Sequence, residues 1–231
     1  MLRAPGLPGV RGALRTALVE LWYHPWPLLA ANLAWAAGVL LALGVATVWP
    51  LGGLVVAPLA AVPFAGVMGV ATRIVRGEPV DVRDAFRPWR THGGRAALLG
   101  VATTLVLLVL AADVAIGLVA MGGAIGWTLA AGAGWALLAV VALLLHAWPL
   151  LLDPAAPDRN IRTALRLGAR VALVFPGRTI ALTMAAALVL LLATVLFAIL
   201  ATIAMAWVAI LASLVVLPAA DRLTALEGRR A

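Results

Sequence analysis

Three long apolar stretches, residues 28–72, 96–152 and 179–217, make up most of the chain, and all 17 of its arginines lie outside them. A helix that crosses a bilayer needs about 20 mostly apolar residues. Each stretch is therefore too long for one crossing and suits a helical hairpin. The first carries a break at Trp49-Pro50-Leu51-Gly52-Gly53 and the second near Met121-Gly122-Gly123, residue types that end helices. The third has no glycine, proline or charge. As one straight helix it would run roughly 58 Å, against a hydrocarbon core of about 30 Å. Two short spans turning near Leu200–Met205 fit better, with a single long tilted helix as the alternative.

The expected fold class is all-α: a polytopic helical membrane protein of about six transmembrane helices in three hairpins, with short basic amphipathic cytoplasmic helices. The predicted spans are residues 28–48, 54–72, 96–118, 127–149, 179–199 and 203–217. An N-terminal segment, 1–27, and a tail, 218–231, flank this single membrane domain. Composition agrees. Hydrophobic residues make up 65% of the chain and charged ones 11%, with a mean hydropathy of +1.12. Soluble domains run at about 45–50% apolar and about 25% charged, so a water-soluble globule and a disordered chain are both excluded.

The net charge of +8 would point to nucleic acid in a soluble protein. Here its distribution gives another meaning. Residues 1–27, 73–95, 153–178 and 218–231 hold every arginine, and each segment is net positive. If the apolar stretches are hairpins, all four segments share one side, which the positive-inside rule makes cytoplasmic. The expected localisation is the bacterial plasma membrane, multi-pass, with both termini cytoplasmic. The first span is expected to remain as an anchor, because 27 preceding residues are too many for a signal-peptide n-region. The implied partner is the bilayer, through anionic head groups at the cytoplasmic face. No segment interleaves aromatic and basic residues as single-stranded nucleic acid requires, so no nucleic acid is expected.

Chemistry is scarce. There is no Cys, Lys or Gln, one Ser (Ser213) and one Tyr (Tyr23). That removes thiolate metal sites, Cys nucleophiles, Schiff-base lysines and P-loops. Ser213 has no G-x-S-x-G context, and His24, His92 and His146 show no metal-ligand spacing. The expectation is a non-enzyme with no cofactor and no metal.

Three segments repeat one design, arginines at helical spacing followed by a breaker: His24-Pro25-Trp26-Pro27, His92-Gly93-Gly94 and Phe175-Pro176-Gly177. Each reads as a short interfacial helix. Asp81 and Asp158 are candidate N-caps, and Asp84, three residues after Asp81, resembles a capping box. Arg159, Arg162, Arg166 and Arg170 form a stripe that either anchors the chain or docks a partner.

Inside the predicted spans, Asp113 is the only formal charge. It is expected near the outer interface, as a solvated or hydrogen-bonded residue, a structural pair or an ion or substrate site. His146, Asn32 and Arg73 share a predicted depth and read either as a polar cluster or as separate interfacial residues. Trp22, Trp26, Trp49, Trp89, Trp127 and Trp148 fall at predicted interfaces. The second span carries Pro58 and Pro63, then Ala61, Ala65 and Gly69 at four-residue spacing, a broken, closely packing helix.

The stretch GGLVVAPLAAVPFAGVMGVATRIVRGEPVDVRDAFRPWRTHGGRAALLG resembles the YesL-like family of uncharacterised bacterial integral membrane proteins. The features that carry the resemblance are a proline-bearing small-residue span, the turn Arg76-Gly77-Glu78, then Asp84, Phe86 and Arg87. LLHAWPLLLD and ALRLGARVALVFPGRTIALT resemble the family's later segments, so the likeness covers roughly residues 15–217. It implies an accessory or scaffold role, linked to carbohydrate ABC import or its regulation, with an importer permease as partner. It carries over no catalytic residue. The alternative function is a small transporter or channel using the proline-broken second span and Asp113.

Overall fold

The computed structural model describes residues 9–195 and 198–228; Arg3, Arg229 and Arg230, expected as cytoplasmic charges, lie outside these. Its helices are α1 (Val10–Tyr23), α2 (Pro25–Val48), α3 (Pro50–Val56), α4 (Ala61–Val75), α5 (Arg87–Ala115), α6 (Gly123–Leu151), α7 (Ile161–Val174), α8 (Pro176–Val195) and α9 (Ala198–Glu227). Short 3-10 turns occupy Ala57–Ala60 and Val82–Ala85, and a π-turn, Ile116–Met121, ends the α5 rod. No strand occurs among the described residues. The chain is an all-α polytopic membrane protein. Five helices are long and apolar enough to cross a membrane, and α7 with α8, bent by 106° at their junction, make a sixth if the pair is one broken span.

The breaks at Trp49-Pro50 and Gly122-Gly123 fall where the sequence predicts them. Pro50 opens α3, where its missing N–H costs nothing, and Gly122 and Gly123 both take φ of 57°, open to residues without Cβ. The second hairpin closes tightly because Gly117 and Gly126 face each other: a Cβ on Gly117 would stand 2.5 Å from the Gly126 carbonyl oxygen.

Three boundaries differ from the sequence reading. No turn falls at Leu200–Met205, because α9 is helical from Ala198, past Leu217 and through Pro218, to Glu227. Nothing between Ala198 and Leu217 interrupts an apolar helix. His92-Gly93-Gly94 does not end a helix either, since α5 is continuous from Arg87. Each glycine costs about 1 kcal/mol, but burial of Pro88, Ala96, Leu99 and Gly100 holds the rod against α4. Finally, Asp158 is not the cap of α7. Consecutive turns Ala156 N–H to Asp153 O and Arg159 N–H to Ala156 O use up residues 153–159, so Asn160 caps the helix by accepting from Thr163 N–H at 2.8 Å.

The hairpins meet at their arginine-bearing ends. Within its apolar window α9 is 78% buried, against 6% for α5, which makes α9 the centre of the bundle and α5 a peripheral rod. α1, α2, α4, α6, α7 and α8 all pack on α9. The buried core comprises Ala65–Ile74 of α4, His146–Leu151 of α6, and most of 204–220 of α9, with Ala13 and Ala17 of α1 against it. Away from this end, leucines and valines of α2, α5 and α6 face outward, the surface that lipid tails cover.

The prolines and small residues of the second span serve this packing. Pro58 sits in the 3-10 turn that breaks the span, and its carbonyl lies against Gly100 of α5. Pro63 meets Gly38 of α2, and Gly69 receives the Pro88 ring, whose Cγ would lie 2.5 Å from an added Cβ. Gly66 faces the Ala85 carbonyl oxygen, leaving no room for a methyl. Overpacking of this kind typically costs about 1–3 kcal/mol. Gly66→Val is therefore expected to lower the midpoint of thermal unfolding in detergent, whereas the same change at Gly132, which has nothing within 4 Å, leaves it near wild type.

Candidate functional site

The most structured polar region is an ion-pair network where the hairpins converge. It begins with the end of α4, a Schellman turn: Gly77 N–H donates to Ile74 O at 2.9 Å and Glu78 N–H to Arg73 O at 3.0 Å. Gly77 takes φ of +74°, the left-handed conformation this motif requires after a helix. The turn throws Arg73 and Arg76 to different partners.

Arg76 makes a two-point contact with Asp153, Nε to Oδ1 at 2.9 Å and Nη2 to Oδ2 at 2.6 Å. Its Nη1 also donates to Asp221 Oδ2 at 2.6 Å. Asp153 follows α6 and Asp221 lies on α9, so one guanidinium joins all three hairpins. Asp153 is only 2% exposed. It also accepts from Ala155 N–H at 3.1 Å and faces Arg159 at 3.6 Å. Arg159 in turn donates to Leu150 O at 2.7 Å. The hydrogen bonds it donates to Asp221 and then to Asp153 outweigh burial and hold the Arg76 guanidinium protonated well above its ordinary range. This fork-to-carboxylate geometry is specific to arginine.

Beside it, Arg73 pairs with Glu78 at 2.7 Å and with Asp84. Asp84 belongs to a capping box with Asp81, as the spacing predicts. Thr72 donates to Leu152 O at 2.9 Å, another tie from α4 to α6. A cleft of about 500 Å³ opens here, lined by Arg73, Glu78, Asp84, Arg87, His92 and Arg95 among others. The sequence reading missed Asp153 and Asp221 as partners of Arg76, and it placed Arg159 on the outer stripe of α7. No local spacing signals these contacts, since the partners lie 77 and 145 residues away.

The other predicted residues do not gather into one site. His146 is fully buried, with Nδ1 2.7 Å from Ala142 O and Nε2 3.2 Å from the Thr179 hydroxyl, so it ties α6 to the start of α8. Asn32 is buried with its Oδ1 unpaired. His146, Asn32 and Arg73 are thus separate, not a cluster. Asp113 is half-buried in an open cleft between α5 and α6 and makes no hydrogen bond or ion pair with a described residue. Pro58 lines a different, apolar cavity of about 400 Å³ with Trp35, Phe64 and Trp148. Trp22, Trp26, Trp49 and Trp127 are mostly exposed, but Trp148 is 6% exposed. It packs edge-on to Phe64 at 5.0 Å instead of joining an interfacial belt. Phe86 stacks edge-on with Trp89 at 5.1 Å. No group of three or more His, Cys, Asp or Glu residues suited to a metal ion occurs among the described residues.

No protein-family model, curated protein or solved structure matches this chain.

The network rests on the left-handed turn at Gly77. A β-branched residue there pays about 1–2 kcal/mol for the backbone alone. Gly77→Val is expected to lower unfolding stability in mixed micelles by at least that much. Gly77→Asn, which tolerates the left-handed region, should lie between it and wild type.

Proposed function

We propose that this chain is a non-enzymatic accessory or scaffold component of the bacterial plasma membrane. Its arginine-bearing face and both termini lie in the cytoplasm, and that face docks the acidic surface of another membrane protein. The observation that carries the reading is the division of the arginines into two populations. Arg73, Arg76 and Arg159 are turned inward and spent on carboxylates and carbonyls. Arg83, Arg87 and Arg90 point out from the Val82–Ala85 turn and the first turn of α5. Arg87 has only a 4.0 Å contact to Asp84, and Arg83 and Arg90 pair with no described residue.

Between these arginines, Val82 is 39% and Phe86 41% exposed. Exposed arginine and aromatic groups on a rigid support are the usual anchors of protein interfaces. The rigidity here comes from the capping box below and the Arg73–Asp84 pair behind. The sequence resemblance supports a carbohydrate importer permease as the partner class. The transport alternative draws less support, because Pro58 and Asp113 line separate cavities and share no polar path among the described residues.

Affinity purification from native membranes in mild detergent tests this. The wild-type chain is expected to bring down a membrane-protein partner, and Arg83→Glu/Arg87→Glu/Arg90→Glu is expected to lose it while keeping the wild-type unfolding midpoint. Recovery of this chain alone, or of the same partner with the triple variant, would contradict the proposal.

A further inference from the structure

A groove of about 370 Å³ runs between α5 and α7. Its walls are Leu98, Leu99 and Ala102 of α5 and Ile161 and Leu165 of α7, and the remaining lining residues are Arg162 and Arg166. Leu98 is 63% exposed and both arginines are exposed. Neither arginine pairs with a described residue, and no acid lines the groove. The two guanidinium groups are four residues apart, so they sit one above the other on a single helix face. The groove is also held open by fixed walls. Arg95, one turn before Leu98 and Leu99, donates to Pro157 O at 3.2 Å and Arg159 O at 3.3 Å, which pins α5 to the loop that leads into α7. On its other side α7 is anchored by Ala164, Leu167, Gly168 and Val171, with Gly168 close against His146 of α6.

This arrangement is amphiphilic in the order a phospholipid requires. Two uncompensated cations stand at the end where the arginines of the bundle gather, and an apolar trough continues down the outward face of α5. The start of α7 adds to the positive end, because Ile161 and Arg162 lie in its first turn, where backbone N–H groups have no intrahelical partner. A free anion would use the cations and leave the trough empty. A neutral lipid would fill the trough and leave the cations uncompensated.

We propose that the α5–α7 groove is a binding site for one anionic phospholipid, with its phosphate between Arg162 and Arg166 and an acyl chain along Leu98 and Ala102. The role of α7 is then different from that of the Val82–Arg90 edge: it grips a lipid molecule in place instead of a protein partner.

The test is native mass spectrometry of the full chain released from micelles doped with phosphatidylglycerol or phosphatidylcholine. The wild-type protein is expected to keep one phosphatidylglycerol through collisional activation that strips phosphatidylcholine. Arg162→Gln/Arg166→Gln should weaken that retention at least tenfold. Ala102→Trp, which fills the trough and leaves both arginines, should weaken it severalfold. Both variants alter exposed positions and should keep the wild-type unfolding midpoint. Millimolar inorganic phosphate should not displace the lipid. Equal retention of the two lipids, wild-type retention by either variant, or displacement by phosphate would each overturn the proposal. So would a protein dimer in place of the lipid adduct.

Discussion

Arg76 is the contact on which the rest of the structure depends. Three apolar hairpins have little reason to choose one another inside a bilayer, because lipid tails are as apolar as their side chains. What distinguishes one arrangement is polar geometry at the ends. Arg76 leaves α4 through a left-handed glycine turn and reaches carboxylates that follow α6 and lie within α9. Asp153 is so buried that it needs a cation with a matching fork, which Arg76 supplies, with Arg159 beside it at 3.6 Å. A buried pair of this kind is weak evidence for stability on its own, since desolvation offsets much of the attraction. Its better-attested use is to fix register, and here it fixes which helices meet and at what height.

The distribution of burial follows. The core is concentrated at the clamped end, around α9, and the hairpins present apolar surface to the lipid beyond it. Close contacts at Gly66, Gly69 and Gly100 allow the proline-broken second span to nest between α2 and α5. Both proposed binding surfaces lie at the same end. Among the arginines not used in the clamp, one group stands on the Val82–Arg90 edge beside Phe86 and another on α7 beside an apolar groove. The first combination suits an acidic protein surface and the second an anionic lipid.

Much of this was legible in the sequence, for physical reasons that apply locally. Hairpin breaks announce themselves through Pro50 and Gly122-Gly123, because these residues act on their own backbone. The Asp81–Asp84 box is readable from a spacing of three. Charge segregation is visible because the bilayer, and no particular neighbour, imposes it. The clamp was not legible. Arg76 and Glu78 sit two residues apart in one turn, yet Glu78 serves Arg73 and Arg76 serves residues far along the chain. Nothing in a single sequence marks Asp153 as buried or sets Arg159 apart from the α7 stripe. The helix ends were also misjudged where tertiary contacts overrule propensity, as at Gly93-Gly94, or where two turns consume residues before a helix can begin, as at Asp158.

The most direct measurement of the central claim is a double-mutant cycle between Arg76→Gln and Asp153→Asn, read from unfolding free energies in mixed micelles. If Arg76 is the clamp, each single change is destabilising because it removes the two-point contact and leaves only a secondary partner, Arg159 for Asp153 or Asp221 for Arg76, and the double variant is no worse than the weaker single one. The coupling should then be about 1.5 kcal/mol or more, within the range found for residues that share one network. Additive losses, with coupling near zero, would show that the hairpins are held together by something else.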